Sequence, residues 1–333
     1  MNRLGVFLAL LAVLAVIAGS ARCETDHVRI GLQYGFIYLP IEIARSEGFI
    51  EKRAEELGAG NIKVTLNRFS GTLAMNDALL SNNIDFGALG LPGLLIVWEK
   101  TRGRLAIKGL AGMPLNAFFL YTNKPAIKSL ADFTVQDRIA VPAPNSGQGI
   151  LLEMAAEKLF GPGQYARADK LMISLPHPDA TTALLAGGTI AGYFSVPPYS
   201  QILARDSRVH LVTTSKEIFG GFEASGAGLA GSQHFVDANP LISHAVLMGL
   251  DDAMRFWKEN PRRAAEIYLA AEPAKLSIDD AVEILRDGST IPQVAPQGVM
   301  ALATFMARTG MLKTPPQSWK DVFFPLIHDR DGN

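Results

Sequence analysis

The sequence predicts an α/β protein of two lobes, each a mostly parallel sheet flanked by helices, with the C-terminal helices added to the first lobe. Three observations predict it. The 333 residues suffice for two cores. Hydrophobic residues at 48% and charged ones at 19% belong to a packed globular chain rather than a disordered one. A strand–loop–helix order then recurs in the two halves, and that order lays strands side by side with helices on both faces.

The first segment reads as an address. Met1-Asn2-Arg3 is short and basic, Leu4 to Gly19 is apolar, and small residues follow in "AGSARC". This is the pattern of a secretory signal peptide over residues 1–23, and the apolar run falls short of the roughly 20 residues of a membrane span. Cys23 is the only cysteine. Arg22 stands where a lipoprotein signal needs a small residue, which argues against lipidation. The body from Asp26 onward holds no thiol, so it has no disulfide framework, no Cys-ligated metal and no cysteine nucleophile.

The first half begins with "VRIGLQYG" (28–35), an apolar strand ending in a breaking loop. The helix "LPIEIARSEGF" follows, with Pro40 suited to its first turn and Glu42 to its positive end. A second strand lies in "NIKVTLNRFSGT" (61–72). "DALLSNNIDFGALGLP" (77–92) then gives a helix end, a polar turn, a short strand and a Pro-bearing loop. The segment 107–133 is expected to cross to the second lobe, with Phe118, Phe119 and Tyr121 alternating as in a buried strand. That lobe repeats the plan: "DRIAVPAP" (137–144), a helix ending at Gly161, "KLMISLPHPDATT" (170–182) and "TALLAGGTIAGYFSVP" (182–197). Both halves carry Ala-Leu-Leu with Pro twelve positions later, at Pro92 and Pro197. A return crossover is expected over 209–231, then helices at Ile242–Glu259, Arg262–Glu272, Ile278–Arg286 and Gln297–Arg308. The first lobe is therefore expected at 26–120 and 224–333, with the second, 121–223, inserted.

Ligands of open α/β sheets bind beyond the carboxyl ends of the strands. The loops at those ends are Tyr34-Gly35-Phe36, Ser70-Gly71-Thr72 and Leu91-Pro92 in one half. Asn145-Ser146-Gly147-Gln148, the His177 loop and Ser195 to Pro197 stand in the other. Asn145 and Ser146 offer side-chain donors, while Gly147 and Gly149 keep backbone N–H groups approachable, which suits a small oxyanion. The plain alternative is an N-cap, with Ser146 serving its own helix. No Lys completes a P-loop and no G-x-G-x-x-G is present. A net charge of −1 without a basic stripe gives no support for nucleic acid. The six histidines show no metal-ligand spacing, and neither Ser146 nor Ser195 lies in a G-x-S-x-G elbow. No cofactor and no catalytic residue is expected.

"LQYGFIYLPIEIARSEGFIEK", "SGTLAMNDALLSNNIDFGALGLPG" and "SLADFTVQDRIAVPAPNSGQG" together resemble the solute-binding proteins of ABC importers of the nitrate/sulfonate/taurine type. That grouping includes binders of thiamine pyrimidine precursors. The resemblance implies a type II periplasmic-binding-protein fold, location in the periplasm, and a monomer that closes on a small anionic organic solute and hands it to an inner-membrane ABC permease. It carries Tyr34, Gly35, Phe36, Ser70, Gly71, Thr72, Leu91, Pro92, Asn145, Ser146 and Gly147 into the cleft. Two departures leave the cargo open between sulfonate, carboxylate and aromatic acid. Related sulfonate binders resemble a Gly-Ser-Ser loop where Asn145-Ser146-Gly147 stands, and they often place Trp near Tyr199. The alternatives are thiamine-precursor binding, a biosynthetic enzyme on the same scaffold, or a ligand sensor for a membrane receptor. The enzymatic branch carries a Cys-rich iron-binding motif, which the mature chain lacks.

Overall fold

A computed structural model describes residues 24–272 and 274–333. The expected signal segment 1–23, including Cys23, lies outside the described residues. In chain order the strands are β1 (His27–Leu32), β2 (Lys63–Arg68), β3 (Phe86–Leu89), β4 (Lys108–Gly112), β5 (Leu115–Asn116) and β6 (Phe119–Thr122). They continue with β7 (Ile139–Val141), β8 (Met172–Ser174), β9 (Gly192–Ser195), β10 (His210–Thr214), β11 (Gly228–Gly231) and β12 (Thr290–Ile291). Period-two alternation shows in β1, where Val28, Ile30 and Leu32 are buried while Arg29 forms an ion pair with Asp85 at 2.7 Å. Gly31 keeps that strand open to its cover, since a Cβ there would lie 2.7 Å from Ile84 Cδ1.

Two five-stranded sheets result, ordered β2-β1-β3-β11-β4 and β10-β6-β9-β7-β8. Read from its β8 edge, the second sheet repeats the first: β7 answers β1, β8 answers β2, β9 answers β3, β10 answers β4 and β6 answers β11. In each sheet one strand runs against its neighbours, β11 against β3 and β4, and β6 against β9 and β10. The expected α/β class with mostly parallel sheets therefore holds, with one reversed strand per sheet. The two crossovers are more than connections. Segment 107–133 contains β4 of the first sheet and β6 of the second, and 209–231 contains β10 of the second and β11 of the first. Each crossing chain fills the place between two strands of the sheet it enters, which the apolar pattern alone does not reveal.

Two hydrophobic cores follow the two sheets. The C-terminal helices pack Val246, Trp257, Ala264, Ile284 and Met306 into the first. Two of them begin earlier than expected, at Pro240 and Pro261, because proline suits a first helical turn whose N–H needs no partner. The crossings run side by side: Asn116 N–H donates to Ala224 O at 3.1 Å and Gly226 N–H to Pro114 O at 2.8 Å. Strand β12 pairs with β5 on the other side.

Candidate functional site

The loops at the carboxyl ends of the two sheets face each other and touch. Phe36 N–H donates to Pro197 O at 3.1 Å, joining the loop after β1 to the loop after β9. Gly35 lies at φ 110°, a left-handed conformation that glycine tolerates, and a Cβ there would come within 3.2 Å of Pro197 O. A Cβ at Gly71 would lie 3.6 Å from Pro142 O, and one at Gly90 3.7 Å from Gly147 N. The helices Thr72–Leu80, Leu91–Thr101 and His177–Ala186 start at these loops with no side-chain cap. Their first N–H groups and positive ends are therefore directed to this side of the molecule.

A buried carboxylate ties the two halves together. Glu272 follows the helix Pro261–Ala271 and is only 4% exposed. Its Oε2 accepts from Gly35 N–H and from the Arg68 guanidinium, both at 3.1 Å. Its Oε1 accepts from the Tyr268 hydroxyl at 2.6 Å and from the Tyr199 hydroxyl. Arg68 also binds Glu42 and the carbonyl of Gln33, and its guanidinium lies 5.2 Å from the centroid of the Tyr34 ring. Burial pushes the Glu42 carboxyl up, an effect that Arg68 opposes. Burial and the Glu272 charge together push the Tyr199 and Tyr268 hydroxyls up, so both remain donors.

His177 stands beside this cluster. Its Nδ1 shares a hydrogen bond with the Tyr193 hydroxyl at 2.5 Å, and its Nε2 lies 3.3 Å from the Gln148 amide nitrogen. Its ring stacks on Tyr199, with centroids 5.7 Å apart and planes 20° apart. Burial pushes the imidazole down to about 3, so His177 is neutral at physiological pH.

The remaining residues expected at the cleft divide sharply. Tyr34 is half-buried and packs against the second core although it belongs to the first half. Ser70 is exposed, and Asn145 and Gly147 are half-buried. Phe36 contributes only its backbone, because its ring is fully buried edge-to-face on Tyr268 at 4.4 Å. Leu91 and Pro92 start a helix and are buried, Leu91 in the first core. Thr72 is buried close to Gly93. Ser146 caps its own helix, accepting from Gly149 N–H at 3.3 Å. Ser195 is fully buried and donates to Phe119 O at 2.9 Å, pinning β9 to β6. Sequence reasoning placed Gln148 in a cleft loop but missed Glu272, Arg68 and Tyr193. The available signals were weak: Arg68 is the last residue of a strand, and Glu272 the first beyond an amphipathic helix.

The model of the NMT1-like family matches residues 21–271. The chain belongs to the NMT1-like family. For this NMT1-like protein, three solved structures show the same fold at low identity. The alkanesulfonate-binding protein SsuA from Xanthomonas axonopodis pv. citri, bound to MOPS, is 18% identical with a TM-score of 0.69, covering 92% of this chain and 98% of that one. The periplasmic aliphatic sulphonate-binding protein SsuA from Escherichia coli is 16% identical with a TM-score of 0.66, covering 92% and 100%. The periplasmic nitrate-binding protein NrtA from Synechocystis PCC 6803 is 18% identical with a TM-score of 0.61, covering 78% and 70%. No curated protein matches the chain in sequence. The fold is that of periplasmic binding proteins.

Proposed function

We propose that this NMT1-like protein is the periplasmic solute-binding component of an ABC importer, a monomeric carrier without catalysis. It captures a small anionic organic solute between two lobes and presents it to an inner-membrane permease. The lobes of this reading are 26–120 with 224–333, and 121–223. The observation that carries it is the meeting of twin loops from the two sheets, with Phe36 N–H bound to Pro197 O. Uncapped helix starts at Thr72, Leu91 and His177 support an oxyanion, since main-chain N–H groups grip negative charge without a lysine. Export by a signal peptide agrees with a carrier that works outside the cytoplasm. Closure follows if the solute touches both lobes, because only differential affinity shifts the equilibrium between open and shut forms.

A neutral heteroaromatic cargo, such as a thiamine pyrimidine precursor, is the second reading. It is favoured by the neutral His177 and by Arg68, whose charge is met by Glu42 and Glu272. Thermal-shift screening against alkanesulfonates, carboxylates, nitrate and pyrimidines separates the two, together with mass spectrometry of solute retained through purification. Stabilisation by an acid supports the first reading and stabilisation by a pyrimidine supports the second. A protein that no small solute stabilises overturns both.

A further inference from the structure

We propose that Glu272 is a positioning residue that latches the two halves through Tyr199, holding the cleft shut in part before any solute arrives. The proposal rests on the carrier reading and adds a bias to its closing motion. Glu272 belongs to the first half, as do three of its four donors: Gly35 N–H, Arg68 and the Tyr268 hydroxyl. The fourth, the Tyr199 hydroxyl, comes from a ring packed in the second core. Two donors meet each oxygen, so the four lone-pair directions of the carboxylate are filled. Glu272 has no acceptor position left for a solute. Its contribution lies in the link between halves.

The geometry of opening follows from that asymmetry. When the halves part, Gly35, Arg68 and Tyr268 travel with Glu272, and Tyr199 alone departs. A charge-assisted hydrogen bond shielded from water is then broken. The neighbouring helix Tyr199–Ala204 adds contacts in the same direction, one of them partly buried and the others exposed. Gln201 donates to Asp287 and Ser289 at 2.9 and 3.0 Å, and Arg205 pairs with Asp280 at 2.6 Å. The exposed pairs are screened by solvent. The Tyr199–Glu272 bond is buried, and with the Phe36 N–H to Pro197 O bond it is a contact whose loss opening must offset.

The test needs no solute. In the full chain carrying Cys23→Ser, spin labels on cysteines placed at the exposed Asp77 and Thr182 report the distance between the twin helices Thr72–Leu80 and His177–Ala186. Tyr199→Phe keeps the ring and its stacking on His177 and deletes only the crossing donor. It is expected to raise the population at long distance about tenfold, the effect of losing a hydrogen bond to a charged group. Tyr268→Phe deletes a donor to the same oxygen from within the first half and is expected to leave the distance distribution unchanged. Glu272→Gln, read in the same way, is expected to open the molecule at least as far as Tyr199→Phe. An unaltered distribution in Tyr199→Phe overturns the latch, and so does equal opening by Tyr268→Phe. Failure of the solute screen alone removes the carrier reading and leaves these distances to be judged separately.

Discussion

Glu153 and His177 are buried groups whose charging opposes folding, Glu153 by losing a proton and His177 by gaining one, so their pH dependence is opposite. Glu153 lies in the helix Gly147–Phe160 with one carboxylate oxygen unpartnered. Burial first, and Asp169 second, push its carboxyl up to about 8. An acid raised in the folded state contributes stability that is complete below its unfolded value near 4.5 and is lost as pH rises towards 8. His177, a base pushed down to about 3, behaves in the other sense: its contribution is complete above its unfolded value of 6.5 and falls as pH drops. Urea denaturation across the pH range is expected to separate them. Glu153→Gln should stabilise the protein at pH 7 by about 1–3 kcal/mol and have little effect near pH 4. His177→Gln should flatten the acid limb, removing about 2–3 kcal/mol of the decline between pH 6.5 and about 4.5. Unchanged pH profiles in both variants would contradict this account of the two buried groups.

At the scale of elements, the loop that opens the helix Gly147–Phe160 is fixed by close approach. A Cβ at Gly149 would fall 2.0 Å from Pro144 O, which is backbone and has little room to yield. Gly149→Ala is therefore expected to cost more than about 2 kcal/mol in urea denaturation and to displace the neighbouring Asn145–Gly147 turn. Gly187→Ala, at φ 72° and ψ 150° with open space around it, should cost about 1–3 kcal/mol of backbone strain without displacing a neighbour. The elements were legible in the sequence because period and punctuation are local: the Ala-Leu-Leu…Pro repeat marks the helices Thr72–Leu80 and His177–Ala186 and the strands β3 and β9 that follow them. The reversed strands β6 and β11 were not legible, since an apolar run carries no record of which sheet it enters. The site was legible as loops and backbone only. Whether Phe36 or Tyr34 turned to the cleft depended on Tyr268 and Trp257, more than 200 residues away along the chain. Glu272 escaped notice because only Tyr268 lies one helical turn from it, while Gly35, Arg68 and Tyr199 reach it through tertiary structure.

For the molecule as a whole, the two crossings would determine what kind of opening the proposed carrier has. Segments 114–117 and 224–226 lie against each other, and residues 289–291 brace the first of them. Asn116 is the junction: fully buried, it accepts from the Thr290 hydroxyl at 3.1 Å and donates to Ala117 O at 2.9 Å. Ala117 N–H in turn donates to Ser289 O at 2.8 Å. In the proposed carrier, a bend between the halves passes through this three-stranded band, whose hydrogen bonds resist twisting more than a pair of free linkers would. The band should therefore open as one cooperative unit, separate from either core. Asn116→Ala leaves the Thr290 hydroxyl buried without its acceptor, at a cost of about 1–3 kcal/mol. Hydrogen exchange is expected to accelerate together at the amides of 115–117, 224–226 and 289–291, while β1 and β7, at the centres of their cores, keep their protection. Exchange that rises only at 115–117 would show that the C-terminal brace moves independently of the crossings, and the hinge would then be two strands rather than three.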